Sequence, residues 1–238
     1  MRDEPLAARW SKFRVGLDIA ASVAMIATAL FFFWGASKKS EKTSGRPVLP
    51  VPKAPVPLAG AAIRGNPTAP FALLTFADFE CPFCSRFTKE VLPILEQKYI
   101  ASGELKFVFR NLPLPIHQHA RRAAQAAECA GRQNRFWAMH DRLFLHSSNL
   151  ADSELRQYAI DGGVDAMAFD SCLVNDATVS RRLDDDRELA RSLGIVSTPS
   201  FFLGHVEPNG DLKVATVIAG ARPVDYFIAT VDKVIRVR

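Results

Sequence analysis

Pro70-Phe-Ala-Leu-Leu-Thr-Phe76 runs, four residues later, into Cys81-Pro-Phe-Cys84-Ser-Arg-Phe87. The first run is short and apolar throughout, the pattern of a strand buried on both faces. After the cysteines the period changes. Phe83, Phe87, Val91 and Leu95 recur every four residues, with Arg86, Lys89, Glu90 and Glu96 on the other faces, which predicts a helix kinked at Pro93. A C-x-x-C at this strand-to-helix junction has chemical consequences. Cys81 opens the helix, where unpaired N–H groups and the helix dipole stabilise a thiolate. Pro82 falls in the first turn, where its missing N–H costs nothing. Cys84 lies one turn deeper, close enough to resolve a mixed disulfide formed on Cys81. Cys81 is therefore expected to be the accessible, low-pKa nucleophile and Cys84 the shielded resolving thiol. A lone C-x-x-C is also half a zinc site, or a plain structural bridge. Zinc needs two more ligands. His117-Gln118-His119 opens a helix with no matching geometry implied, so no metal and no cofactor are expected. His140, His146 and His205 read as surface or packing residues.

The rest of the soluble part alternates the same two periods. Leu105 to Arg110 reads as a second strand, followed by a helical stretch over about 116–193. Ala120, Ala123, Ala124 and Ala127 form one packing stripe in it, and Phe136, Met139 and Leu143 another. Asp152 and Asp165 are expected N-caps, Gly162-Gly163 a helix stop, and Gly194 the end of the last helix. Ser200 to Leu203 and Val214 to Ile218 read as strands joined through Asn209-Gly210, a hairpin signal. Pro223 to Val234 reads as a closing helix. The order β–α–β, helical block, β–β–α implies a small mixed sheet carrying an all-helical insertion.

The N-terminal quarter is built differently. Ile19 to Ala36 is uncharged over its whole length, just long enough to cross a bilayer core. Trp10 and Trp34 suit the two interfaces. Lys/Arg counts on the two flanks tie. The run is longer than an ordinary signal-peptide core, so an anchor is preferred to a cleaved signal. Residues 37–60 are Ser/Lys-rich and then Pro-rich, the composition of an extended spacer. The domains expected are a cytoplasmic tail (1–16), a transmembrane anchor (17–36), a Pro-rich linker (37–60) and a soluble domain (61–238) with a helical insertion at about 113–195. The net charge of +5 belongs to the first 60 residues, which hold nine Lys/Arg against four Asp/Glu. Residues 61–238 carry 21 of each, so a nucleic-acid-binding face is not supported.

Cys129 and Cys172, both in the helical block, are either two buried free thiols or a structural disulfide. An extracytoplasmic domain favours the disulfide, and an even cysteine count suits an oxidising compartment. That breaks the topology tie, placing the chain in the inner membrane as a single-pass protein with its C-terminal domain on the periplasmic side.

With these residues assembled, 65–238 resembles the DsbA-like thiol:disulfide oxidoreductases of the thioredoxin superfamily, in the branch tethered to bacterial membranes. The likeness rests on several motifs. They are Gly65-Asn-Pro-Thr-Ala-Pro-Phe71, Phe76-Ala-Asp-Phe-Glu-Cys-Pro-Phe-Cys-Ser-Arg-Phe87, Asn111-Leu-Pro-Leu114 leading to His117, Glu128-Cys-Ala130, Phe136 to Phe144, and Gly194-Ile-Val-Ser-Thr-Pro-Ser-Phe-Phe202. The resemblance implies an α/β thioredoxin fold with the helical domain inserted. It also implies that Thr198-Pro199 is a cis-proline turn facing the active site, where a substrate segment is held as an added strand. The sequence departs from the strongest family oxidants in having Phe83 rather than a histidine between the cysteines, which removes one source of thiolate stabilisation. A reduction potential between those of thioredoxin, roughly −270 mV, and DsbA, roughly −120 mV, is expected.

The leading functional expectation is a dithiol oxidase introducing disulfides into unfolded or reduced exported proteins, reoxidised by a membrane redox partner and working as a monomer. No folded dimerisation module fits before Ala61. Alternatives are a reductase or isomerase using the same pair, or a tethered chaperone or binding module without turnover.

Overall fold

The computed structural model describes residues 49–236. The expected tail, the expected anchor over 17–36 and most of the expected linker lie outside the described residues. Among the described residues no helix is long and apolar enough to cross a membrane.

Five strands form one sheet in the order β1-β3-β2-β4-β5. They are β1 (Ala62–Arg64), β2 (Phe71–Ala77), β3 (Leu105–Asn111), β4 (Ser200–Val206) and β5 (Leu212–Ala219). β2 lies parallel to β3, with Leu73 opposite Phe107, and antiparallel to β4, with Leu73 opposite Leu203. β1 and β5 run antiparallel at the two edges. The continuous apolar reading of β2 follows from this central place: all seven of its residues are buried, because both faces of the sheet are covered. Alternate residues divide between two cores. Leu73, Phe107, Phe109, Phe201 and Leu203 face one; Leu74, Phe76, Val108, Phe202 and Val214 face the other. Gly204 marks the bulge between β4 and β5. A Cβ there would stand 2.0 Å from the Lys213 carbonyl oxygen, so the strands can approach this closely only at glycine.

The helix after β2, here α1, is continuous but uneven. Pro82–Arg86 and Leu92–Leu95 are α turns, while Phe87–Val91 and Glu96–Ile100 are wider π turns. The Leu92 N–H reaches back five residues to the Phe87 carbonyl. The irregularity expected at Pro93 takes the form of this widening. Phe87, Val91 and Leu95 are buried, and Phe87 packs its ring 4.4 Å from that of Phe201 and 5.1 Å from Phe227. Phe83 does not join the stripe. It is 50% exposed, while Cys84 and Ser85 of the same turn are buried.

Between β3 and β4 come α2 (Ala120–Gly131), α3 (Phe136–Leu145), α4 (Asp152–Asp161), α5 (Ala166–Asn175) and α6 (Ala177–Ser192). α7 (Val224–Arg236) follows β5. The alanine stripe of α2 is fully buried, and Cys129 of α2 is bonded to Cys172 of α5, with Cα atoms 5.8 Å apart. Asp165 caps α5, accepting from the Ala168 N–H at 2.9 Å. Asp152 does not cap α4. Ala151 holds that position, and the Asp152 carboxylate pairs with Arg122 instead. The cap not foreseen is Asp176, which accepts from Thr178 and Val179 at the start of α6.

The boundary expected at residue 61 also moves. Val56 exchanges two backbone hydrogen bonds with Leu212, Val56 and Leu58 are buried in the second core, and the carbonyls of Pro57 and Ala59 accept from Arg110. Pro55 and Pro57 hold the chain extended around Val56, and an extended residue with a free N–H and C=O can join a sheet edge. The end of the Pro-rich segment is therefore part of the domain. Arg110 also meets Asp186 of α6 at 2.5 Å, and both side chains are buried. Asp186 further accepts from the Asn111 N–H at 2.9 Å, fastening the insertion to the strand that carries it.

Candidate active site

β2 ends at Ala77, and a three-residue turn carries the chain into α1. Within it Asp78 Oδ1 accepts from the Glu80 N–H at 2.8 Å, and the Asp78 carbonyl accepts from the Cys81 N–H at 3.2 Å. Cys81 is the N-cap of α1, with an extended backbone (φ −75°, ψ 121°), and Pro82 takes the first helical position. The Cys81 carbonyl receives the first helical bond, from Ser85 at 3.1 Å. The Ser85 hydroxyl donates to the Phe144 carbonyl of α3 at 3.0 Å, which fixes the turn against the insertion.

The loop ahead of β4 closes over this turn. The Thr198–Pro199 peptide bond is cis, and the Cys81 thiol donates to the Thr198 carbonyl at 3.6 Å. The Pro199 carbonyl is occupied by the Gly220 N–H. The Thr198 hydroxyl is buried with no partner of its own, so its proton is free to turn toward the sulfur.

Both cysteines are free thiols, and their surroundings polarise them in opposite directions. The Cys81 pKa is lowered from 9.0 to about 6. The hydrogen bond from the Cys84 thiol is the main cause; burial works against it, and Thr198 and the backbone N–H groups of Cys84 and Phe83 add to it. Cys84 is pushed well above the ordinary range, first by burial, then by giving its proton to Cys81 and by the charge there. Both sulfurs are largely covered, so Cys81 is less accessible than the sequence implies, while Cys84 is the more shielded of the two, as expected. Cys81 is 4% exposed and Cys84 1%. Their asymmetry lies in the deeper burial of Cys84 and in which sulfur receives hydrogen bonds and which gives one. Three segments that meet here carry exposed apolar side chains: Phe83 on α1, Ile116 on the β3–α2 loop and Val196 ahead of the cis proline.

A protein-family model described as Thioredoxin matches residues 59–218. The chain belongs to the thioredoxin family. Among solved structures, alpha-DsbA1 of Wolbachia pipientis is 27% identical, with a TM-score of 0.67 over 76% of this chain and 93% of that one. BdbD of Bacillus subtilis, in oxidised form, is alike in fold at 21% identity, with a TM-score of 0.65 over 77% of this chain and 97% of that one. The Na(+)/H(+) antiporter NhaA 1 of Mycolicibacterium gilvum (strain PYR-GCK) is 37% identical over 158 residues, which is 66% of this chain and 25% of that protein. The Na(+)/H(+) antiporter NhaA of Herminiimonas arsenicoxydans is 30% identical over 205 residues, 86% of this chain and 32% of that protein. The chain thus spans about a quarter to a third of the length of these curated relatives.

Within this thioredoxin-family domain, Cys81, Cys84, Thr198 and Pro199 meet at one place, while Cys129 and Cys172 lie in the insertion. Sequence reasoning missed three residues that build the site. Asp78 and Glu80 stand just ahead of the C-x-x-C, and His117 ends a second motif, but the only role weighed for any of the three is zinc binding by His117. His117 Nδ1 lies 2.8 Å from Asp78 Oδ2. The pairing spans 39 positions, and no local period reports a contact of that range.

Proposed function

We propose that the chain is a thiol:disulfide oxidoreductase of the DsbA type, acting as a dithiol oxidase on unfolded or reduced exported proteins. The opposed polarisation of Cys81 and Cys84 carries the reading. A substrate thiolate attacks Cys81 Sγ of the Cys81–Cys84 disulfide. The Cys81–Cys84 bond breaks, a mixed disulfide forms, and Cys84 leaves as a thiolate that takes up a proton. A second substrate thiolate then attacks the substrate sulfur of the mixed disulfide and expels Cys81. The substrate has lost two electrons to the cysteine pair, which is left as one thiolate and one thiol. A leaving thiolate with a pKa of about 6 speeds this last step and favours the reduced enzyme. A membrane redox partner then takes the two electrons and restores the disulfide.

Phe83, Ile116 and Val196 offer apolar contact to an unfolded segment, and Thr198 and Pro199 lie where an extended substrate would run beside Cys81. Cys129–Cys172 is a structural bridge. The uncharged run within 17–36 anchors the chain in the inner membrane, the described domain works as a monomer on the periplasmic side, and the reaction needs no cofactor. A periplasmic thioredoxin-like protein of Salmonella enterica serovar Typhimurium is a neighbour in fold, with a TM-score of 0.61 at 22% identity. The segment shared with the antiporters is read as a redox module, and ion transport is not carried over from them.

The test is direct. The purified chain, oxidised, is mixed with a reduced two-cysteine peptide, and separately with a scrambled-disulfide protein. Fast peptide oxidation with poor reshuffling supports the oxidase. The reverse pattern makes the protein an isomerase, and no exchange by either route leaves a binding module.

A further inference from the structure

Two carboxylates in the β2–α1 turn reach past the cysteines to the loop between β3 and α2. Asp78 is 1% exposed. Its Oδ2 accepts from the Leu114 N–H at 2.8 Å and holds His117 Nδ1 at 2.8 Å. Glu80 Oε2 accepts from the His119 N–H at 2.7 Å. These bonds lay residues 114–119 against the turn that positions Cys81. A buried carboxylate is tolerated when it is hydrogen-bonded and paired, and the cationic partner recorded for Asp78 is His117. The charged groups facing the His117 ring are Asp78 and Glu80 from the turn and Cys81 from the start of α1; His119 follows on its own loop. All three facing groups are anionic when ionised. Burial opposes a charge on His117, but the Asp78 hydrogen bond and charge, with the charges of Cys81 and Glu80, outweigh it and raise its pKa above the ordinary value. The residues between the cysteines, Pro82 and Phe83, carry no charge, so any positive charge acting on the sulfur comes from outside the motif.

We propose that His117, clamped by Asp78, supplies from outside the C-x-x-C motif the positive charge that stabilises the Cys81 thiolate and makes the disulfide more oxidising. Asp78 is the positioning residue. The proposal rests on the redox reading of Cys81–Cys84 given above. Reduction of the disulfide takes two electrons and one proton, which Cys84 keeps. The charge left on Cys81 is the one His117 faces. The coupling is reciprocal: a group that favours the thiolate is itself favoured by it. His117 must therefore hold its proton more tightly in the reduced protein than in the oxidised one, where Cys81 carries no charge.

The experiment uses the full-length chain. The His117 ring is titrated by NMR in both redox states. The pH profile of Cys81 alkylation and the equilibrium with glutathione are measured for the wild type and for His117→Asn, whose amide can still donate to Asp78. The expected results are a higher His117 pKa in the reduced state and a Cys81 profile displaced upward, by less than about one unit, in the variant. A tenfold loss of thiolate stabilisation would lower the potential by about 30 mV, so a smaller fall is expected here. An equal His117 pKa in the two redox states overturns the proposal, and this needs no variant to fold. A folded His117→Asn protein with unchanged profile and potential overturns it as well. A wild type that never equilibrates with glutathione brings down the redox reading instead, and the alkylation profiles then decide the role of His117 alone.

Discussion

The molecule holds two cysteine pairs with opposite fates. Cys129 and Cys172 join α2 to α5 among alanines and aromatic rings, and they are bonded. Cys81 and Cys84 are both buried, whereas Cys172 is only partly so, and yet they are free. The difference lies in what surrounds the sulfur. Around Cys81 stand a helix N-terminus, the Cys84 thiol and Thr198, and facing His117 also feels its charge. The comparison teaches that burial alone does not make a cysteine inert. Hydrogen bonds aimed at a sulfur can outweigh the cost of desolvating its charge.

The widest gap between the pairs should appear on deleting one sulfur from each. Cys81→Ser is expected to abolish peptide oxidation while leaving the thermal transition of the domain in place. Cys84→Ser should instead accumulate mixed disulfides that non-reducing electrophoresis resolves. Retained turnover in Cys81→Ser would erase the functional contrast between the pairs.

Next in size is the insertion's own bridge. Closing a loop of 43 residues is worth about 4 kcal/mol by the chain-entropy relation. Cys129→Ala with Cys172→Ala should lose stability of that order in urea titration and keep its oxidase rate at temperatures where it stays folded. Mild reductant should leave this bridge intact in the wild type while opening Cys81–Cys84. Equal reduction of both would show that the insertion does not protect its disulfide.

The third contrast is with pH. In the reduced protein the Cys81 pKa is lowered from 9.0 to about 6. A depressed acid contributes stability that is fully present above its unfolded pKa and lost as pH falls through the folded one. The thermal midpoint of the reduced form, relative to the oxidised form, should therefore fall as pH is taken from 9 through 6. Cys84, shifted upward, opposes this only above pH 9. A constant difference between the two midpoints across that range would mean that Cys81 is not held as a thiolate.

How far the sequence reached follows from the range of each interaction. β2, the C-x-x-C helix and the helical block were legible because their signals are local: an unbroken apolar run, a four-residue period, an alanine stripe. β1 was not, since three residues at an edge carry no period. The packing of Val56 and Leu58 was hidden by the prolines around them, which read the same in a spacer and in an extended segment paired with a sheet edge. At the site, the cysteines and Thr198-Pro199 stood out as a motif. Asp78, Glu80 and His117 fell within quoted motifs, but their contact was not legible, because it depends on a loop folding back 39 positions later. Phe83 could be read two ways, as an exposed apolar contact beside Cys81 or as a member of the buried stripe its spacing fits, and it takes the first.

The smallest effect separates two aspartates that the sequence treats alike. Asp165 and Asp152 each precede a helical period in the insertion, and both were expected to cap. Asp165 stands outside its helix with an extended backbone and accepts from the Ala168 N–H, filling one of the unpaired donors at the start of α5. Asp152 is already inside α4 and spends its exposed carboxylate on half-buried Arg122. Replacing a true N-cap with alanine costs about 1 kcal/mol, whereas an exposed ion pair contributes roughly 0–1 kcal/mol. Asp165→Ala should therefore destabilise the domain measurably in urea, and Asp152→Ala less. Neither aspartate is among the groups acting on Cys81, so neither substitution should move the alkylation profile. If Asp152→Ala proved the more costly, α4 would have to begin one residue later than it does here. A shift in the Cys81 profile from either substitution would show that the helical insertion and the thiol site are coupled, and the separation between the two cysteine pairs would fail.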